Sequence, residues 1–126
     1  MSFIRRAAGV IALLLVGACT GEGPVSAPGT LTATLASPNG AEGAAVIVLA
    51  GEGVTDVQPL GDTEVHSRTT GSTTWVVLLS ELGGTLAFSL TVPDTTQPPT
   101  AVVQEVAGAD DALRDVLSGY RVEFGR

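Results

Sequence analysis

Thr30-Leu31-Thr32-Ala33-Thr34-Leu35 alternates without a break between hydroxyl and apolar side chains. That period of two places Leu31, Ala33 and Leu35 on one side of an extended chain and the threonines on the other, as a half-buried strand requires. Ser37-Pro38-Asn39-Gly40 then supplies turn chemistry. The next segment, Ala45-Val46-Ile47-Val48-Leu49, is apolar throughout, the pattern of a central strand covered on both faces. Gly51-Glu52-Gly53 ends it. Val54-Thr55-Asp56-Val57 and Glu64-Val65-His66-Ser67, on either side of Pro59 and Gly61, predict short or edge strands. Thr73 to Leu79 predicts a strong strand, and Gly83-Gly84 separates it from Thr85 to Val92, where Leu86, Phe88, Leu90 and Val92 share a face until Pro93 stops the ladder. Ala101 to Val106 and Tyr120 to Phe124 predict the last two strands. Between them Asp110 to Leu117 reads either as one helical turn, with Leu113, Val116 and Leu117 at helical spacing, or as a wide hairpin connection.

About seven short strands over residues 29–126, with turn signals at close spacing and no long helical pattern, predict an all-β fold: a single antiparallel β-sandwich. No repeat of roughly 20 to 50 residues is visible. The paired apolar strands and the closing Gly119-Tyr120-Arg121-Val122-Glu123-Phe124 segment resemble the cohesin-like and carbohydrate-binding sandwiches of exported bacterial proteins. The chain is also similar to small exported lipoproteins, a likeness that implies no activity.

The first residues carry a different pattern. Met1-Ser2-Phe3-Ile4-Arg5-Arg6 is positively charged, an apolar run follows from Ala7 to Val16, and Gly17 and Ala18 stand directly before Cys19. This is the layout of an export signal. Val16-Gly17-Ala18-Cys19 resembles the lipobox of bacterial lipoproteins. The resemblance implies that a diacylglycerol is attached to the Cys19 thiol, that the peptide is cut just before it, and that the new amine is acylated. The competing readings make Cys19 a small residue of an ordinary signal peptide or of an N-terminal membrane helix. A spanning helix needs roughly 20 apolar residues, about twice the run present. A twin-arginine signal would follow Arg5-Arg6 with bulky apolar residues, whereas Ala7-Ala8-Gly9 follows here. One acyl chain binds a membrane only marginally, at about 0.8 kcal/mol per buried methylene, and a lipoprotein cysteine carries two or three. The sequence thus predicts a signal at 1–18, a lipidated cysteine and tether at 19–28, and a domain at 29–126. The expected address is the cell envelope. Thr20 stands where many lipoproteins of the inner membrane carry aspartate, so the outer membrane is expected in a host that has one.

Removing the signal changes the charge picture. Residues 19–126 keep all 13 acids but only four arginines, and the chain has no lysine, giving a formal balance of −9. Such a surface repels nucleic acid, whose binding needs clustered positive charge. It also argues against a polybasic contact with the membrane beyond the lipid itself. With Cys19 consumed no structural disulfide can form, so stability must come from burial, which a domain of about 100 residues can supply. Thr20 to Pro28 lacks bulky residues and reads as a tether reaching at most about 30 Å.

Candidate chemistry is sparse. His66 is the sole histidine, no Gly-x-Ser-x-Gly elbow surrounds any serine, and adjacent residues such as His66 and Ser67 on a strand point to opposite faces. One histidine and a lipidated cysteine fall short of a zinc site. No phosphate-binding glycine loop is present. Thirteen acids suffice for paired glycosidase carboxylates, but of the aromatics that would wall a sugar cleft, Phe3 leaves with the signal and Phe88 and Phe124 lie on predicted core faces. Trp75 and Tyr120 remain as candidate platforms for a ligand, against the commoner role of an aromatic buried in a sandwich core. Glu105, Asp110, Asp111 and Asp115 form the best candidate calcium cluster, though their spacing does not match a calcium loop. The plainer reading makes Asp110 a helix cap, Asp111 a partner of the helix's positive end, and Arg114 with Asp115 a solvated pair.

The chain therefore reads as a lipid-anchored envelope module that binds protein or glycan, not as an enzyme, and it calls for no cofactor. An envelope hydrolase with an acidic site is the competing reading. Acids around a deep pocket would favour the enzyme, and a flat face with an exposed Trp75 or an open sheet edge would favour binding.

Overall fold

The structure, a computed structural model, describes residues 26–126. The export signal and Cys19 lie outside the described residues. Eight strands follow one another: β1 (Gly29–Ala36), β2 (Glu42–Ala50), β3 (Thr55–Pro59), β4 (Glu64–Thr70), β5 (Thr73–Gly84), β6 (Ala87–Val92), β7 (Thr100–Ala107) and β8 (Arg121–Gly125). They form two four-stranded sheets, ordered β3-β6-β1-β8 and β4-β5-β2-β7, and every pairing is antiparallel. The fold is the antiparallel β-sandwich that the strand pattern predicts. The count rises to eight because both short segments flanking Pro59 form strands, each at a sheet edge.

Alternation builds the core. Leu31, Ala33 and Leu35 of β1 and Phe88, Leu90 and Val92 of β6 meet Ala45, Ile47 and Leu49 of β2 and Val76 and Leu78 of β5, all buried. The threonines of β1 take the opposite face, as the sequence predicts.

Two expectations are corrected, and between the two alternatives for 110–117 the wide connection holds. Gly83-Gly84 does not end β5, which runs on to pair Gly84 with Glu42 across a register shift between Glu42 and Ala44. The 110–117 segment contains no helix. Asp111 holds a left-handed φ of 67°, which interrupts any right-handed turn, and Asp110 accepts the Ala112 N–H at 3.2 Å, so that amide is spent on a side chain instead of a helical carbonyl. The segment is a wide connection, joined to β7 by a bridge between Ala107 and Leu113. The other correction concerns β2, which is central in its sheet but covered on one face only: Ala44, Val46 and Val48 are half-buried, and no second layer of described residues lies over them.

Antiparallel pairing throughout sends the connections to two ends. The turns at 51–54, 71–72 and 93–99 lie at the end where β1 starts, and those at 37–41, 60–63, 85–86 and 108–120 lie at the far end. At the near end Ser26 Oγ donates to Asp94 at 2.7 Å and the Thr95 amide donates to the Ala27 carbonyl at 3.0 Å. The last residues of the expected tether are thereby fastened to the domain.

Candidate functional site

Two clusters stand out, and they differ in whether anything is left to bind. At the far end, Glu42, the first residue of β2, is only 1% exposed. Its Oε1 accepts from Arg114 Nε at 3.1 Å and Nη2 at 2.8 Å, and its Oε2 accepts from Ser37 Oγ at 2.7 Å and from the Tyr120 hydroxyl. Asn39 Nδ2 in turn donates to Tyr120 Oη at 2.8 Å. Burial pushes the Glu42 carboxyl up, but the bonds from Tyr120, Ser37 and Arg114 together outweigh it and hold the group below the ordinary carboxylate value. The hydrogen bond to Glu42 shifts Arg114 the opposite way, upward. An ionised carboxylate offers about four lone-pair sites, and here all are taken. Glu42 has no capacity left for a metal ion or a substrate proton and serves as the fastening of the 108–120 connection.

That connection carries three of the four acids expected to gather calcium, and one of them is committed within it. Asp110 is committed to the Ala112 amide, Arg114 pairs with Glu42 instead of Asp115, and Glu105 lies on β7 opposite Val46. Among the described residues no three His, Cys, Asp or Glu side chains converge on a cation position. Tyr120, the second candidate platform, is 8% exposed with its hydroxyl turned to Glu42 and presents no stacking face to solvent.

Trp75 does the opposite. It stands on the outward face of β5 at 41% exposure, not in the core. Register places it in a row that crosses the sheet as Arg68, Trp75, Val48 and Val102. The next row reads His66, Val77, Val46 and Glu105, and the one beyond reads Glu64, Leu79, Ala44 and Ala107. Over these three rows the two central columns are apolar; beyond them Thr73 stands opposite Ala50 at one end of β5, and Glu81 lies two residues past Leu79 at the other. Within the three rows charges are confined to β4 and to Glu105, where an extra residue in β7 shifts the register. Leu113, 66% exposed, extends the apolar surface beyond Ala107. The outer face of the other sheet is different: Thr30, Thr32 and Thr34 pair with Thr91, Ser89 and Ala87 on one side, and Thr34 faces Glu123 on the other.

An open hollow of about 300 Å³ lies beside the tryptophan, lined by His66, Ser67, Arg68, Trp75 and Val77. His66 Nε2 lies 2.6 Å from Glu64 Oε2 on the same strand, both side chains exposed. Ser67 pairs with the buried Val76 while His66 pairs with the outward Val77, so the two are on opposite faces and form no nucleophile and base.

Comparison of the chain with protein-family models, with curated proteins and with solved structures gives no match. Function must be read from the site itself. Glu42 escapes sequence reading because a lone glutamate at the start of an apolar segment looks like a solvated boundary residue. The outer apolar face is visible in the sequence of β2, but a continuous apolar segment does not distinguish an exposed face from a second buried one.

Proposed function

We propose that this protein is a lipid-anchored binding module of the cell envelope, held by Cys19, whose recognition surface is the outer face of the β4-β5-β2-β7 sheet. The observation that carries this reading is the exposed Trp75 between Arg68 and Val48, in a sheet face whose central columns are apolar over three successive rows. A solvated outer face of an antiparallel sheet alternates to polar residues, as β1 does, so a face of Trp, Val, Leu and Ala is built to be covered. Aliphatic columns beside one tryptophan suit a protein surface, with the β4 charges as rim. A glycan would need more aromatic area and more hydrogen-bonding groups than these columns offer.

The test is site-specific photo-crosslinking in the intact envelope. A photoreactive residue at Val102 should give discrete adducts, and one at Thr32 on the other sheet should not. Equal labelling at the two positions, or none at Val102, would remove the face from consideration.

A further inference from the structure

The same face fits a second copy of this chain. We infer that two copies pack face to face through their β4-β5-β2-β7 sheets, about a two-fold axis running along the strands between β5 and β2. This rests on the binding-face reading above and names its partner.

The inference comes from the columns. Such an axis sets β5 of one copy over β2 of the other and β4 over β7. In two of the three rows a larger side chain on β5 then meets a smaller one on β2, Trp75 over Val48 and Leu79 over Ala44, and in the row between them Val77 meets its equal, Val46. Close packing needs this interdigitation of large and small, and one surface that supplies both halves is self-complementary, as an isologous interface demands. The rim agrees. His66 and Glu105 occupy the two ends of one row, so the axis brings the His66 of each copy over the other's Glu105, and no acid over an acid. Arg68 lies over Val102, where its stem can pack while its head reaches water.

The tether chooses among the two-fold axes. An axis across the strands would send the two chain starts to opposite ends of the pair. The axis along the strands keeps both copies of Ser26, fastened to Asp94, at one end, where two copies anchored in one membrane must have them. Four strands about 4.8 Å apart, with the three outward rows that hold Trp75, Val77 and Leu79 about 6.8 Å apart, cover roughly 400 Å² in plan per copy. That is about half of a standard interface of roughly 800 Å² per partner. The pair is therefore weak in bulk solution, and the shared anchor raises the effective concentration.

The experiment is photo-crosslinking of the full chain in its own membrane, with the photoreactive residue at Val48. The expected product has twice the mass of the chain. His66→Glu sets an acid over Glu105 of the second copy and should cut the adduct at least tenfold, and adding Glu105→Arg should restore it. A dimer adduct indifferent to His66→Glu, or one not restored by the double change, overturns the arrangement. An adduct of Val48 with a different protein overturns the inference and leaves the binding face standing. No adduct at Val48 or at Val102 overturns both.

Discussion

Tyr120 donates its hydroxyl hydrogen to Glu42, joining the last residue of the 108–120 connection to the first residue of β2 across 78 positions of sequence. The bond completes the four that a buried carboxylate needs.

Removing one of the four tests the fastening. Tyr120→Phe leaves a buried, charged oxygen short of a donor and strands Asn39 Nδ2, and is expected to cost about 1.5 to 3 kcal/mol. Arg114→Ala takes away the countercharge and should cost more than Tyr120→Phe, because the buried Glu42 carboxylate loses its charged partner. Denaturant titrations of both variants measure the order, and an Arg114→Ala protein as stable as wild type would show that the pair is idle.

Acid should find the same network. A carboxyl held below its unfolded value adds stability above that value and loses it as pH falls through the folded value. The ordinary value for Glu42 is 4.5, so stability is expected to be level down to about pH 5.5 and to fall below that. Asp94, held low by bonds from Thr96 and Ser26, acts in the same sense. Melting curves between pH 3 and pH 7 should therefore show a shallower acid slope, not a flat one, in Glu42→Gln.

The two faces of β2 should respond unequally to a charge. Ile47 is fully buried, and Ile47→Asp places an unpaired charge in the core at a cost of several kcal/mol, out of a typical 5 to 15. Val46 is its outward neighbour, and Val46→Asp should cost less than about 1.5 kcal/mol while abolishing crosslinking through the face. Thermal melts of the pair give the comparison.

The anchor has its own measurement. With Cys19→Ala, incorporation of labelled fatty acid should stop and an unprocessed precursor of higher mass should accumulate. Continued labelling of that variant would end the lipoprotein reading.

How much of this was legible in the sequence depends on range. Strand alternation in β1 and β6 is a local property, and it placed Leu31, Ala33, Leu35, Phe88, Leu90 and Val92 correctly. The continuous apolar segment of β2 shows that both faces are apolar, but not what lies over each, because that is decided by residues far along the chain. Trp75 carries the same ambiguity: alternation sets it opposite in sense to Val76, and only the pairing of β5 with β2 tells which sense is inward. The Glu42 cluster draws on Ser37, Arg114 and Tyr120, and no spacing rule links residues so far apart. Composition counts the carboxylates at 110–115 without showing that Asp110 accepts the Ala112 amide.

The fastening of the 108–120 connection also bears on proteolysis. Arg68 and Arg121 lie in strands while Arg114 lies in irregular backbone, which makes it the natural point of tryptic attack among these three. Trypsin must draw an arginine head into an acidic specificity pocket, and this head is already held by Glu42 at 2.8 Å. Cleavage after Arg114 then waits on the opening of that pair, and its rate becomes a direct readout of how often the far end of the sandwich comes undone.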